Sequence, residues 1–250
     1  MRVPAVCGMM DRRILANFQI DPMVMARVLP DPFRPKLANG YAIGGICLIR
    51  LKGIRPKRFP FPWGINSENA AHRIAVEWEV EGQLKEGVYI PRRDTNSRFN
   101  TLTGGTIFPG LHHHATFTVK ETGNYYSVAL ESDDGETHVA VAGTVSNRLP
   151  DASVFRSVAE ASEFFQAGAL GYSETRTTGR YDGLELQCDH WKVEPLDVEQ
   201  IKSSYFEDKS QFPEGTVEFD CGLLMRDIPH QWHGREDLCC AAAAETERAP

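Results

Sequence analysis

The chain has 250 residues, of which 42% are hydrophobic and 24% are charged, so a wholly disordered protein is excluded. The formal net charge of -7 argues against a nucleic-acid-binding protein with an overall basic field, and no apolar run is long enough for a transmembrane helix. Six cysteines, none of them in a Cys-x-x-Cys pair, favour reduced thiols and a cytoplasmic location.

The first part of the chain contains one predicted helix and two predicted strands. The helix begins at Asp21-Pro22, because Asp is a good N-cap and Pro suits the first helical position, and Pro30 ends it. Residues 41–51 form a β-rich apolar run, in which Gly44-Gly45 indicates a bulge or a close backbone approach. Residues 72–80 alternate between apolar and polar, which predicts a strand with one buried face.

The later part of the chain contains a predicted antiparallel meander, a helix and further strands. The meander consists of strands at residues 112–120, 125–132 and 136–146. Ser157-Val-Ala-Glu160 is a capping box that opens a helix, and Gly168 ends it. Further strands are predicted at residues 172–177, 184–193 and 216–225, and residues 195–206 are predicted to be a loop with one or two helical turns.

These elements predict a mainly β (α+β) protein with a single domain. Many strands, few helices and no βαβ alternation favour an antiparallel β-barrel or cone with a few helices packed outside it. The domain is expected to cover residues 1–235, with strands from about Ile14 to Met225, and residues 236–250 are expected to be a disordered tail. The helix from Ser157 is expected to bury Phe165 against the outside of the barrel.

Three stretches resemble a known superfamily. They are Val28-Leu-Pro-Asp-Pro32, Glu86-Gly-Val-Tyr-Ile-Pro-Arg-Arg-Asp94 and Phe164-Phe-Gln-Ala-Gly-Ala-Leu-Gly-Tyr172. Through them the chain to about Trp232 is similar to the acetoacetate decarboxylase-like superfamily, and more narrowly to the YqjF-like bacterial proteins called DUF2071. The resemblance implies a closed or cone-shaped β-barrel around a small-molecule cavity.

The resemblance allows the superfamily's enzyme chemistry to be compared with this chain. Acetoacetate decarboxylases carry Tyr-Pro-Lys-Lys, whose first lysine forms a Schiff base with the substrate ketone. The matching stretch is Ile90-Pro91-Arg92-Arg93, and a guanidinium is a very poor nucleophile. Gln19 stands where those enzymes have an anchoring arginine, and residues 33–67, where they place an acidic group, hold no acid. We therefore expect a relative with a reused cavity rather than a Schiff-base decarboxylase.

Arg92 and Arg93 are the first candidate ligand-binding residues. Adjacent residues on a strand point to opposite faces, so only one should face the cavity unless Pro91 bends the strand. Such a guanidinium can hold a carboxylate or phosphate in a bidentate pair. A structural ion pair with Asp94 is the alternative, and the sequence leaves open which arginine faces the cavity.

Glu68, His72 and Arg73 form the second candidate group. Polar residues at the start of a strand can line the mouth of a barrel, so Glu68 and His72 are the catalytic acid–base candidates. Arg73 is a ligand-binding candidate, as is Gln19. The alternative is a hydrogen-bonded histidine beside a salt bridge on the rim, which we favour for each residue taken alone.

Histidines and cysteines are the remaining candidates. His112 and His114 share one face of a strand with a spacing that can bind zinc or iron, but no third ligand is evident. We therefore predict no metal and place His114 among the ligand-binding residues, with a metal-dependent enzyme as an alternative. Cys47, Cys188 and Cys221 lie in apolar strands, which is typical of small core residues.

The basic stretch at residues 33–67 indicates either a solvated rim or a funnel that attracts an anionic ligand. The preferred hypothesis is a small-molecule-binding protein, or a lysine-independent acid–base enzyme, that acts on a small organic acid or carbonyl compound. A binding module without turnover is the alternative. We expect a small anionic organic ligand, no cofactor, no nucleic acid and no membrane partner, and a homo-oligomer is left open.

Overall fold

The computed structural model describes residues 5–57, 63–104 and 109–239. In chain order the elements are β1 (Val6–Ile20), α1 (Pro22–Val28), β2 (Arg34–Pro35), β3 (Leu37–Ala38), β4 (Tyr41–Pro56), β5 (Ile65–Val80), β6 (Gln83–Thr95), α2 (Arg98–Thr103), β7 (His113–Thr122), β8 (Tyr125–Ser132), β9 (His138–Val145), α3 (Val158–Ala167), β10 (Leu170–Glu174), β11 (Arg180–Cys188), β12 (Glu194–Ser203), α4 (Ser204–Glu207), β13 (Val217–Gly234) and β14 (Leu238–Cys239). No helix in these ranges is long and apolar enough to cross a membrane.

Strand pairing forms two closed circuits in the described part of the chain. The first runs β6-β7-β8-β9-β12-β13-β1-β4-β5 and returns to β6. The second leaves β6 through β10 and β11 and rejoins at β13. Strands β13, β1, β4, β5 and β6 therefore form a wall that both circuits share. The sheet is mainly antiparallel, as predicted, and the parallel pairs among the described strands are β6–β7 and β6–β10.

Each face of the shared wall carries an apolar cluster, because side chains alternate along a strand. On β4, Ile46 and Leu48 belong to the first cluster, which also takes residues from β8 and β9. Cys47 and Ile49 belong to the second cluster, which α3 covers with Phe165. Hydrophobic burial on both faces stabilises the wall, and it also allows the two faces to have different chemistry.

The helix α1 and the close approach of β4 to β1 both form where short sequence patterns predicted them. Asp21 accepts hydrogen bonds from the backbone N–H of Met23 at 2.7 Å and of Val24 at 3.2 Å, and Pro22 occupies the first turn. A Cβ at Gly45 would lie 2.6 Å from the carbonyl oxygen of Ala16 on β1. The glycine pair therefore allows β4 to approach β1 closely.

The helix α3 begins after Ser157, as predicted. Ser157 Oγ accepts from the backbone N–H of Glu160 at 3.1 Å. The Glu160 carboxylate accepts from the backbone N–H of Arg156 instead of closing the box at Ser157. Phe165 is 6% exposed, which confirms the predicted buried face of this helix.

Two predicted boundaries differ from the structure. Residues 195–206, predicted as a loop with one or two helical turns, contain the strand β12 followed by the single-turn helix α4. A bulge between Val198 and Gln200 interrupts the alternation by which β12 could be recognised. The strand predicted at residues 72–80 begins earlier, at Ile65. Its first half carries polar side chains such as Asn69, so the apolar–polar alternation did not reveal that half.

The sheet also extends further toward both ends of the chain than predicted. β1 begins at Val6 rather than near Ile14, and β13 continues to Gly234. Leu238–Cys239 pairs with β11, so the predicted tail from residue 236 includes sheet residues. The rest of that predicted tail, from residue 240, lies outside the described residues.

Candidate functional site

A cavity of about 140 Å³ lies on the face of the shared wall that carries the second apolar cluster. Each of the seven strands of the second circuit contributes to its lining. Most of the lining is apolar. The polar lining residues that matter below are Arg13, Arg73, Arg93, Asp94 and His112.

Arg93 is the member of the Arg92-Arg93 pair that reaches this cavity. Its Nε donates to Ser173 Oγ on β10 at 2.9 Å. Arg92 points to the opposite face of β6, where its guanidinium pairs with Asp94 at 2.9 Å and with Asp134 at 2.8 Å. Both interpretations left open by the sequence therefore apply, one to each residue: Arg92 forms a structural ion pair and Arg93 lines the cavity.

Arg73 on β5 lines the same cavity and is 4% exposed. One terminal nitrogen donates to Asn17 Oδ1, and the guanidinium lies over the Phe165 ring, 4.7 Å from its centroid. Its Nε has no hydrogen-bond partner among the described residues. Burial lowers the pKa of Arg73 to about 10, so the side chain is still charged at neutral pH.

Arg13 on β1 is the third arginine of the cavity. Its Nε donates to Cys47 Sγ at 3.2 Å, and a terminal nitrogen lies 3.9 Å from Met225 Sδ. The guanidinium lies 5.6 Å from the centroid of the Trp191 ring. Sulfur atoms and aromatic faces are weak acceptors, so these contacts do not neutralise the charge.

The three arginines have no ion pair with a carboxylate in the described part of the chain. Burial lowers the pKa of Arg93 to about 10, as it does for Arg73. A guanidinium that loses its hydration without forming an ion pair costs stability, and for Arg93 the nearby Asp182 offsets part of that cost. The cavity is therefore a favourable site for an anion.

One carboxyl group and one imidazole lie near Arg93. Burial raises the pKa of Asp182, which accepts from the backbone N–H of Gly110 at 2.9 Å and interacts electrostatically with Arg93. Burial, with Arg93 nearby, lowers the pKa of His112 to about 3. At neutral pH this imidazole carries no charge, so it contributes a polar but neutral wall.

Glu68, predicted as a catalytic acid or base, lies outside the cavity. It is on the opposite face of β5, where it pairs with Arg12 and Arg50 at 2.5 Å each. Arg12 is 1% exposed and also pairs with Glu121 at 2.7 Å. These side chains form an ion-pair network that joins β1, β4, β5 and β7, with Arg12 at its buried end and Glu121 at its exposed end.

His72, the other acid–base candidate, is also on the face of β5 away from the cavity. It is 1% exposed, with its ring 5.1 Å from that of Tyr205 and its Nε2 3.3 Å from Ser203 Oγ. Burial, with the charge of Arg92 nearby, lowers its pKa to about 3. Of the group Glu68, His72 and Arg73, only Arg73 lines the cavity.

Gln19 and His114 do not reach the cavity either, in contrast to their prediction as ligand-binding residues. Gln19 Nε2 donates to Glu218 at 3.3 Å, across the β1–β13 pair. His114 Nδ1 lies 2.8 Å from a carboxylate oxygen of Asp133 in the turn after β8. Both side chains are thus engaged at the surface of the sheet.

The three consecutive histidines diverge instead of converging. His112 lines the cavity, whereas His113 and His114 contact different aspartates, Asp134 and Asp133. Within the described ranges no group of three His, Cys, Asp or Glu side chains is arranged to hold a metal ion. The arrangement gives no support to the metal-dependent alternative.

Three cations of the basic stretch at residues 33–67 pair with acids from other strands. Lys36 pairs with Glu86 at 2.8 Å, and Lys52 pairs with Asp11 at 2.6 Å. Arg50 belongs to the ion-pair network described above. These three cations are therefore engaged outside the cavity, and Arg58 lies outside the described residues.

Sequence reasoning missed Arg13 as a residue of this site. The available signal was a charged pair, Arg12-Arg13, directly before the apolar run Ile14-Leu-Ala. Such a pair on a buried strand places one cation on each face. The prediction began the core at Ile14 and therefore left both arginines out.

Comparison with known families gives one match. A family model, DUF2071, described as an uncharacterized conserved protein, matches residues 9–218. None of the curated proteins matches the sequence at a significant level.

Several solved structures share the fold at low identity. The acetoacetate decarboxylase of Legionella pneumophila is 9% identical, with a TM-score of 0.60 over 93% of this chain and 87% of that one. An acetoacetate decarboxylase-like enzyme of Sphingomonas wittichii is 10% identical, with a TM-score of 0.55 over 95% and 92%. The enduracididine biosynthesis enzyme MppR, complexed with pyruvate, is 11% identical, with a TM-score of 0.55 over 96% and 91%. These likenesses show an acetoacetate decarboxylase-like fold.

Proposed function

The chain belongs to the DUF2071 family, and we propose that it binds a small carboxylic acid in the arginine-lined cavity. One observation carries the proposal: Arg13, Arg73 and Arg93 line one cavity without an ion pair among the described residues. Three like charges on one cavity repel one another, and an anion placed between them relieves both the repulsion and the missing hydration.

Guanidinium geometry favours a carboxylate as the anion. A guanidinium presents parallel N–H groups that match the two oxygens of a carboxylate. Arg73 contributes an unpartnered Nε, and Arg93 is held in place by Ser173. The fixed orientation reduces the entropy that ligand binding would otherwise cost.

The volume of the cavity limits the ligand to a small acid. A cavity of about 150 Å³ can hold one benzene molecule. The cavity here, at about 140 Å³, suits an acid of that size. Pyruvate, which is bound to MppR, has the required charge and is small enough, so it is the first ligand to test.

Binding is a better-supported function than acid–base turnover. No lysine is among the described residues that line the cavity, so the wall offers no amine for a Schiff base. Glu68 and His72, the acid–base candidates, lie on the other face of β5. The neutral His112 and the Asp94 carboxyl, which Arg92 engages, contribute polarity to the site.

A thermal-shift titration with pyruvate tests the proposal. Pyruvate at 100 times its dissociation constant should stabilise the protein by about 2.7 kcal/mol, whereas the neutral pyruvamide should not. Arg93→Met should abolish the pyruvate shift. The same variant should raise the Tm of the ligand-free protein by about 2–4 °C, because replacing an uncompensated guanidinium with an apolar side chain should gain about 1 kcal/mol.

Arg92→Met is the matched control, because it makes the same change on the other face of β6. It should lower the Tm, since Asp94 loses its ion pair, but it should keep the pyruvate shift. Equal effects of pyruvate and pyruvamide, or an undiminished shift in Arg93→Met, would contradict the proposed function.

A further inference from the structure

Cys47 lies among the three arginines of the cavity. Its Sγ accepts a hydrogen bond from Arg13 Nε at 3.2 Å, and it is close enough to Arg73 and Arg93 to interact electrostatically with both. The residue lines the cavity and is 7% exposed. Cys47 is a small core residue, as the sequence indicated, and its position also brings it into the wall of the cavity.

A second observation at the same place points to a ligand. Arg73 is 4% exposed, lines the cavity, and its Nε has no partner among the described residues. An anion bound there would therefore lie close to the sulfur of Cys47. The same guanidinium groups that hold the anion are the neighbours of the thiol.

Two other cysteines of the shared wall and its surroundings have different environments. Burial raises the pKa of Cys221 well above its ordinary value, and the neighbouring Asp220 adds to the effect. Burial also raises the pKa of Cys188. Arg73 also interacts electrostatically with Cys221, and Arg13 with Cys188. What sets Cys47 apart is the direct hydrogen bond from Arg13 Nε to its sulfur in the wall of the cavity.

We propose that Cys47 is a nucleophile that forms a thioether with small carboxylates carrying an electrophilic carbon, such as 2-enoic acids. The inference rests on the proposed function, because the arginines first have to hold the carboxylate beside the sulfur. Holding the two reactants together makes the reaction effectively intramolecular.

The addition balances without an oxidant or a cofactor. The sulfur forms a bond to the β-carbon of the 2-enoate, and the electron pair of the double bond moves to the α-carbon. The proton that the thiol gives up ends on that α-carbon. Negative charge develops toward the carboxylate during the addition, where the guanidinium groups stabilise it.

Iodoacetate and iodoacetamide are the probes, because they share the reacting carbon and the leaving group and differ in charge. With either reagent the S–C bond forms as the C–I bond breaks, iodide leaves, and the thiol proton goes to solvent. The full-length protein is treated with each reagent, and alkylation of every cysteine is followed by peptide mass spectrometry. The rates of the two reagents are divided at each cysteine, so that the accessibility and the thiolate fraction of that cysteine, which affect both rates equally, cancel.

The reference is the exposed Cys239, scored together with the adjacent Cys240 and called the tail below. The iodoacetate-to-iodoacetamide rate ratio at Cys47 should exceed the ratio at the tail by about tenfold or more, because a charge-assisted contact holds only the anionic reagent. Arg13→Gln should lower the Cys47 ratio toward the tail value, whereas Arg92→Gln should leave it unchanged. Equal ratios at Cys47 and the tail, or no alkylation of Cys47 by either reagent, would overturn the inference.

The pyruvate thermal shift and the alkylation preference of the wild-type protein are separate readouts, so together they separate this inference from the proposed function. A wild-type protein that shows the pyruvate shift without the alkylation preference overturns the inference alone. A wild-type protein without the pyruvate shift overturns the proposed function.

Discussion

Two arginine pairs show how alternation along a strand divides adjacent charges. Arg12 is compensated by Glu68, whereas its neighbour Arg13 contacts sulfur atoms and an aromatic ring. In the same way Arg92 pairs with carboxylates and Arg93 lines the cavity. In each pair one guanidinium stabilises the sheet and the other lines the cavity.

Glu68→Gln should lower stability without affecting ligand binding. The substitution removes one of the two carboxylates that pair with the buried Arg12, and Glu121 remains as its partner. We expect the free energy of unfolding to fall by about 3 kcal/mol. Urea unfolding measures the loss, and the exposed Glu131→Gln, as control, should change stability by less than about 0.5 kcal/mol. A Glu68→Gln protein that folds with wild-type stability but loses the pyruvate shift would place Glu68 in the binding site after all.

His72 should make the protein less stable in acid. Its pKa of about 3 in the folded protein is below the ordinary value of 6.5, so the unfolded chain binds more protons between these pH values. Stability therefore falls as the pH decreases from 6.5 toward 3. His72→Gln should reduce this slope by up to about 1.4 kcal/mol per pH unit, measured by urea unfolding between pH 6.5 and 4.

The exposed His138 provides the control for that measurement. His138→Gln should leave the pH dependence of stability unchanged. An unchanged slope in His72→Gln would mean that the buried imidazole accepts its proton in the folded protein.

The helix α3 connects the outer layer of the protein to the cavity. Phe165 packs against Phe155, with ring centroids 5.5 Å apart, and its ring also lies beneath the Arg73 guanidinium. A helix that covers the wall therefore also holds one of the cavity arginines in position. This double contact arises because α3 places Ala161 and Phe165 on one buried face.

Phe165→Ala should cost about 3–5 kcal/mol of stability, because it removes a large buried ring. It should also weaken pyruvate binding, since the Arg73 guanidinium loses the ring that orients it. Urea unfolding and the thermal-shift titration measure the two effects. Glu163→Ala, an exposed change on the same helix, should alter neither, and equal effects of the two variants would show that α3 does not position Arg73.

At the scale of the whole molecule, the cavity depends on the second strand circuit. Its walls come from seven strands that span the chain from β1 to β13. The shared wall supplies the arginines, while β10 and β11 close the other side with residues such as Gly171 and Leu184. Closing a sheet removes exposed strand edges and leaves an interior space.

Acetoacetate should form no Schiff base with this protein. Arginines stand at the lysine positions of the decarboxylase motif, and Lys36 and Lys52 are engaged in ion pairs outside the cavity. An amine held in an ion pair outside the cavity cannot reach a ketone bound inside it. The protein is incubated with acetoacetate and borohydride and then analysed by mass spectrometry. An adduct on a single lysine, with release of carbon dioxide above background, would show that the protein is a decarboxylase.

Patterns within short segments determined several elements of this protein from the sequence. Asp21-Pro22 was sufficient to predict α1, and the turns at Gly123 and Gly135 were sufficient to predict the meander. The motif around Arg92-Arg93 indicated both the superfamily and the residue pair that contains a cavity arginine. These signals depend on neighbours in the chain, which the sequence displays directly.

Tertiary structure alone decided which charges are compensated and which face the cavity. Arg12 meets Glu121 and Arg73 meets Asn17 across strands that are distant in the chain, so no local pattern reveals these contacts. Alternation shows that Glu68 and Arg73 lie on opposite faces of β5, but not which face closes around a cavity. That choice depends on how β10 and β11 return to the wall, because only the pairing of distant strands encloses the space.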